Sequence, residues 1–273
     1  MGISLINEGN AAILVDMLIK TKTDFQLYAS NYTMKVVLDG DVTKFIRSKQ
    51  SNRVFAAFRK LEVDVKKANV KEMDVEDVRY FQHDFKQPLY VERVCNIDLK
   101  SCYNNILHRE GIISDETHKY ISNLSKAERL AAVGMLAARK EIFTFKRGVV
   151  QSVEEERSEN SRFFFFAVQK TFEMMNELKA ICGKDYLFTW VDGIYFLPRP
   201  GLREKCQEYL KKIKFPYSAE YLDEFEVKFL SDHINVSFKK EGCKKVFNLP
   251  MPDNAFKKAI HLALVNNTKK KTK

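Results

Sequence analysis

The chain has 273 residues, 45% of them hydrophobic, and carries 46 Lys plus Arg against 36 Asp plus Glu, a net charge of +10. That content sustains a packed interior the size of one large domain or a core with an appendage, which excludes wholesale disorder, and the positive excess favours a polyanionic partner. The five cysteines (Cys95, Cys102, Cys182, Cys206 and Cys243) form no Cys-x-x-Cys pair and no Cys/His cluster, which argues against a zinc site.

Residues 5–22 and 41–69 read as amphipathic helices, the second from Val42, Phe45, Ile46, Val54, Phe55, Phe58 and Leu61 at helical spacing. The apolar run 11–19 is short and interrupted by Asp16, so it reads as a helix face and not as a signal peptide or membrane span. With an odd cysteine count, this leads to the expectation of a cytoplasmic protein without a membrane partner. The charged stretch 70–90 ends at Pro88 and links into a core.

A strand over 90–98 then leads to a helix starting near Ser101, with further helical segments over 114–124 and 125–143. An acidic loop, 154–160, opens a long helix over 161–182. Residues 186–197 read as a β-hairpin turned by Asp192-Gly193, because Asp-Gly between apolar runs is the strongest short hairpin signal. A helix follows Pro200 and Gly201 to about Lys214, then strands over 224–230, 233–240 and 244–249, a C-terminal helix over 253–265 and a basic tail. The expected organisation is a mostly helical N-terminal extension (1–87), a core (88–250) with an insertion at about 110–160, and a C-terminal helix with its tail (251–273). The alternation of elements in the core implies an α+β fold, an antiparallel sheet with helices packed on one face.

Two acids stand out. Asp98 closes a run of strand formers, and alone it reads as the N-cap of the next helix. Asp192 alone reads as a turn residue. Together, a hairpin that sets one carboxylate beside a strand ending in another forms an oxygen-rich site for hard divalent ions, the arrangement that two-metal phosphoryl transfer requires.

The string Asp98-Leu-Lys-Ser101-Cys-Tyr103-Asn-Asn-Ile106 resembles the first palm motif of family B DNA polymerases, Asp-x-x-Ser-Leu-Tyr-Pro-Ser-Ile, with aspartate, serine, tyrosine and isoleucine in register. Val191-Asp192-Gly193 resembles the second half of the family's Asp-Thr-Asp-Ser hairpin, with Trp190 at its first aspartate and Gly193 at its serine. Arg129-Leu-Ala-Ala-Val-Gly134 resembles a reduced fingers helix, with Arg129 in place of the triphosphate-binding lysine. Residues 237–247 fall where the family keeps a lysine-tyrosine motif.

The resemblance implies a ferredoxin-like polymerase palm with rudimentary fingers, a template-directed nucleotidyltransferase that adds dNMP to a 3′-hydroxyl. In that reading Asp98, Asp192 and the Leu99 carbonyl hold two Mg²⁺ (or Mn²⁺) ions. Tyr103 packs against the incoming sugar and excludes a 2′-hydroxyl, Ser101 lies at the nucleotide, and Arg129 holds the triphosphate. Lys239, Lys240, Lys244 and Lys245 grip the primer. The implied partners are primer-template DNA, a dNTP and other replication proteins, in a reduced layout that resembles phage-like replication proteins. Two alternatives stand beside it. A reverse-transcriptase-like palm is suggested by Trp190-Val-Asp192-Gly193 as a variant of Tyr-x-Asp-Asp, and a catalytically lapsed palm would act as a nucleic-acid-binding or assembly module.

Overall fold

Three pairs of the type X-Gly set the strand layout. Asp39-Gly40, Arg147-Gly148 and Glu241-Gly242 all have positive φ at both residues (48° and 87°, 51° and 75°, 51° and 75°), as a two-residue type I′ hairpin turn requires. The computed structural model describes residues 6–30, 33–46, 50–70 and 80–250.

In chain order the elements are β1 (Ile6–Asn7), α1 (Glu8–Lys20), β2 (Phe25–Ser30), β3 (Thr33–Leu38), β4 (Asp41–Ile46), α2 (Asn52–Val65), β5 (Phe81–His83) and β6 (Leu89–Leu99). Next come α3 (Cys102–Arg109), α4 (Asp115–Ser122), α5 (Lys126–Gly134), β7 (Arg139–Lys146), β8 (Val149–Arg157) and α6 (Ser161–Cys182). The series closes with β9 (Tyr186–Trp190), β10 (Gly193–Phe196), α7 (Leu202–Lys212), β11 (Tyr217–Phe229), β12 (His233–Lys240) and β13 (Cys243–Pro250). The fold is α+β, and every strand pair is antiparallel except β1 with β4. The C-terminal helix expected over 253–265 and the basic tail lie outside the described residues.

The chain divides into two compact units. The first comprises residues 1–78 and 103–169. Its six-stranded sheet has the order β1-β4-β3-β2-β7-β8, with α1 against one face. Ala11 and Leu18 of that helix are buried with Phe25, Leu27, Val36, Phe45 and Phe145, and the Phe25 and Phe145 rings stack at 4.2 Å. Beside this core α2, α4 and α5 pack together. Ser51 caps α2, and Ser125 and Glu128 form a capping box on α5, each satisfying helix N–H groups that would otherwise be orphaned.

The mostly helical reading of the N-terminal region is corrected here. Residues 33–46 form a hairpin, because Asp39-Gly40 supplies the turn and the residues on either side alternate in and out of the core. Val42, Phe45 and Ile46 do lie at helical spacing, but only Phe45 faces the core. The helical segment expected over 125–143 also ends early. After Gly134 and a 3-10 turn, the run RKEIFTFK becomes β7, drawn into the sheet by pairing with the distant β2. The N-terminal region and the insertion thus share one sheet.

The second unit comprises residues 79–102 and 170–273, with a seven-stranded sheet of order β13-β12-β11-β6-β10-β9-β5. On one face, Cys95 of β6 meets the helices. Burial pushes its thiol up to about 12, and it senses the charges of Arg203, Cys206 and Glu204 on α7. The sulfurs of Cys182 and Cys206 lie 3.7 Å apart, and Arg203 Nη2 donates to the Ala219 carbonyl at 3.1 Å.

The opposite face closes over itself. Four strands separate β13 from β9, yet the Phe247 and Trp190 rings lie 5.3 Å apart, so the sheet is strongly coiled. Phe188, Tyr195, Phe225 and Phe238 fill the concavity, with Phe188 stacked on Tyr195 at 4.1 Å. The 13-residue β11 carries a register shift between Asp223 and Glu226 that accommodates this bend. Strand structure begins at Tyr217, seven residues before the expected Glu224, because Tyr217 to Asp223 pairs with β6 from Leu99 to Arg93 and buries Leu222.

Candidate active site

Asp98 is the penultimate residue of β6, a strand with neighbours on both sides. It lies opposite Gly193 of β10 and Ser218 of β11, while Asn96 lies opposite Tyr195 and Glu220. Side chains alternate along a strand, so Asp98, Asn96, Tyr195, Ser218 and Glu220 share the coiled face, at the end of its aromatic core. Asp192 sits one residue before Gly193, and its backbone carbonyl accepts a hydrogen bond from Leu99 N–H at 2.9 Å. The turn that carries Asp192 therefore lies beside the strand end that carries Asp98, with Gly193 as the cross-strand partner of Asp98.

The hairpin turn differs from expectation. Trp190 pairs with Gly193, so the loop residues are Val191 and Asp192, and Gly193 is already in β10. Val191 has φ 53°, an unfavourable left-handed conformation for a β-branched residue. Unlike the three X-Gly turns, this loop holds no glycine, and the strained residue directly precedes Asp192. Gly193 instead lies against Asp98: a Cβ there would sit in van der Waals contact, 3.4 Å from Asp98 Oδ1, 3.5 Å from Asn96 Nδ2 and 3.5 Å from the Trp190 carbonyl. Ser101, in the turn between β6 and α3, is also left-handed, with φ 48°.

The two acids act on the same surroundings. The Tyr195 phenol is pushed up by burial first, then by the charges of Asp98, Asp192 and Glu220. The Cys102 thiol is raised by burial, against a hydrogen bond to Thr171, and further by Asp192 and Asp98. Both groups stay protonated at neutral pH beside a concentrated negative potential. Lys240 offsets part of it: its ammonium is 2.7 Å from Glu220 Oε1, and its pKa is raised chiefly by Glu220 with a contribution from Asp98.

The remaining sequence candidates are placed as follows. Lys239 pairs with Glu224 at 2.6 Å, and exposed Lys244 and Lys245 lie opposite Lys239 and Phe238 on the β12–β13 hairpin. Tyr103 and Arg129 belong to the first unit. The Tyr103 ring meets Phe164 edge-on at 5.2 Å, and Arg129 Nη1 donates to the carbonyls of Ser122 and Leu124. Sequence reasoning missed Asn96, Ser218 and Glu220. Asn96 was within reach, two residues before Asp98 on a strand of period two, whereas Ser218 and Glu220 are identified only by strand pairing.

Among the described residues no group of three His, Cys, Asp or Glu side chains is arranged to hold a metal ion. Mg²⁺ needs only one or two carboxylates beside waters and substrate phosphates, so the Asp98 and Asp192 pair suits it. No helix among the described residues is long and apolar enough to cross a membrane. No protein-family model matches the chain, and no curated protein matches it.

Proposed function

We propose that the second unit is a compact polymerase palm that performs metal-dependent, template-directed transfer of dNMP to a 3′-hydroxyl. The observation that carries this reading is the adjacency of the Asp192 turn and the strand end at Asp98, fixed by the Asp98–Gly193 register and the bond from Leu99 N–H to the Asp192 carbonyl, with both acids acting on Tyr195 and Cys102. The motif around Asp98, with Ser101 and Tyr103 in register, supports the same reading.

Asp98 and Asp192 are the side chains that hold the Mg²⁺ ions, and the Leu99 carbonyl is a further oxygen at the end of the same strand. Divalent ions held by these residues would supply activation of the primer hydroxyl and charge neutralisation at the leaving pyrophosphate. The chain's own task is positioning. The central strand and the short turn hold the two carboxylates on a rigid frame, and Gly193 leaves room for the Asp98 carboxylate. Lys239, Lys240, Lys244 and Lys245 form a basic hairpin that contacts the primer backbone independently of sequence.

Primer extension with dNTPs and Mg²⁺ tests the proposal. Extension by the parent chain should fall at least about 100-fold in both Asp98→Asn and Asp192→Asn, the scale on which misplacing catalytic groups is felt, with melting temperature retained. A parent that extends nothing, while it and Asp98→Asn bind primer-template equally, is a nucleic-acid-binding module and refutes the enzymatic reading. Replacing the DNA template with RNA separates the family B reading from the reverse-transcriptase-like one.

A further inference from the structure

The six-stranded sheet of the first unit has a second face that the polymerase reading leaves unused. Phe25, Leu27, Met34, Val36, Phe45, Phe143 and Phe145 point toward α1. Alternation sends the intervening residues to the other side. The strand registers align Lys44 with Lys35, Lys35 with Tyr28, Tyr28 with Ile142, and Ile142 with Glu154, in one row across five strands.

Lys35 and Lys44 are directly opposed like charges, which destabilise a sheet unless an anion joins them. Neither has an ion-pair partner among the described residues. Lys140, on the same face, is instead neutralised by Glu156 at 2.8 Å and sits 5.7 Å from the centre of the Tyr28 ring. The Tyr28 hydroxyl donates to Gln26 Oε1 at 2.9 Å, which holds the ring in place on the sheet. The face is thus polarised: cationic over β4 and β3, aromatic at β2, and acidic at β8, where Glu154 and Glu156 repel a polyanion.

We propose that this face, over β4, β3 and β2, binds single-stranded nucleic acid, with phosphates at Lys35 and Lys44 and a base stacked on Tyr28. An anchored aromatic ring beside uncompensated lysines on an open sheet is the combination that holds single strands without reading sequence. A duplex hides the base faces that the ring needs. The site belongs to a different unit from Asp98 and Asp192 and does not depend on catalysis.

The test is fluorescence anisotropy of labelled oligothymidylate and oligouridylate on the full chain, across a salt series, without divalent metal or nucleotide. The Lys35→Gln/Lys44→Gln chain should lower the slope of log affinity against log salt by about 1.4, two phosphates at about 0.7 each on a single strand. Tyr28→Leu should weaken binding roughly 5-fold to 100-fold, the range for one lost base stack, whereas Tyr28→Phe keeps parental affinity. Removing the opposed lysines relieves repulsion, so the double variant should melt no lower than the parent, and it carries the test alone if Tyr28→Leu fails to fold. Comparable affinities for the two oligomers indicate a site indifferent to sugar, and a preference for one identifies the natural strand. An unchanged salt slope in the double variant, or a duplex that competes as well as the single strand, overturns the proposal.

Discussion

Gly193 is the glycine whose surroundings bear most directly on Asp98. An added Cβ meets Asp98 Oδ1 at 3.4 Å and both Asn96 Nδ2 and the Trp190 carbonyl at 3.5 Å, which is ordinary van der Waals contact. Alanine therefore fits, and because glycine in a strand interior costs about 0.5–1 kcal/mol relative to alanine, Gly193→Ala should stabilise the chain by up to that amount. Valine is different. Its γ-carbons reach about 1.5 Å beyond Cβ, a single C–C bond, into a space already bounded on three sides. The cost should be about 1–3 kcal/mol of overpacking, and the side chain that yields is Asp98.

A carboxylate displaced by about 1 Å costs on the order of 100-fold in rate. Urea titration gives the stability arm, and single-turnover primer extension gives the rate arm. Gly193→Ala should remain within a few-fold of the parent while Gly193→Val falls toward the rate of Asp98→Asn. If valine were as stable and as active as alanine, the close packing of Asp98 over Gly193 would be wrong.

Two other glycines make a matched pair. Gly148 has φ +75° and its Cβ would lie 2.3 Å from the Ile19 carbonyl, whereas Gly40 has φ +87° with nothing within 4 Å. Gly148→Ala should cost about 2–4 kcal/mol, from left-handed strain plus a backbone clash, and Gly40→Ala only about 1–2 kcal/mol, both read from urea melts. Burial tends to raise the Asp64 carboxyl, but hydrogen bonds from Ser114 N–H, the Thr117 hydroxyl and the Ser114 hydroxyl outweigh it and lower the pKa below 3.8. A depressed carboxyl stabilises the fold above its unfolded pKa and loses that contribution as pH falls through the folded value. Thermal melts of Asp64→Asn from pH 7 to pH 2 should therefore decline less than those of the parent below about pH 4, and parallel curves would refute the assignment. Tyr103→Ala should raise ribonucleotide incorporation relative to deoxynucleotide by at least about tenfold if the ring excludes a 2′-hydroxyl, and an unchanged ratio counts against that role.

Local pattern made much of the chain legible. The strand ending at Leu99, the helix from Cys102, the long helix Ser161–Cys182 and the hairpin from Tyr186 to Phe196 follow from short-range periodicity and turn residues. The failures share a cause. Val42 to Ile46 fits a helix as well as a strand, and only the Asp39-Gly40 turn and the pairing with β3 decide between them. Lys140 to Lys146 follows an alanine-rich helix and becomes a strand because β2 lies ready to pair with it.

The order of residues alone determined that Asp98 would end a strand and that Asp192 would sit in a hairpin loop, since both depend on neighbours within a few positions. It could not determine that the two strands would lie side by side, that Glu220 and Asn96 would join them, or that Gly193 would lie in the strand against Asp98 and not in the turn. Those outcomes rest on register between strands widely separated in sequence, where each pairing is selected by the burial of a whole face. The opposed Lys35 and Lys44 belong to the same category: one precedes the hairpin turn and the other follows it, and only the folded sheet brings their charges together.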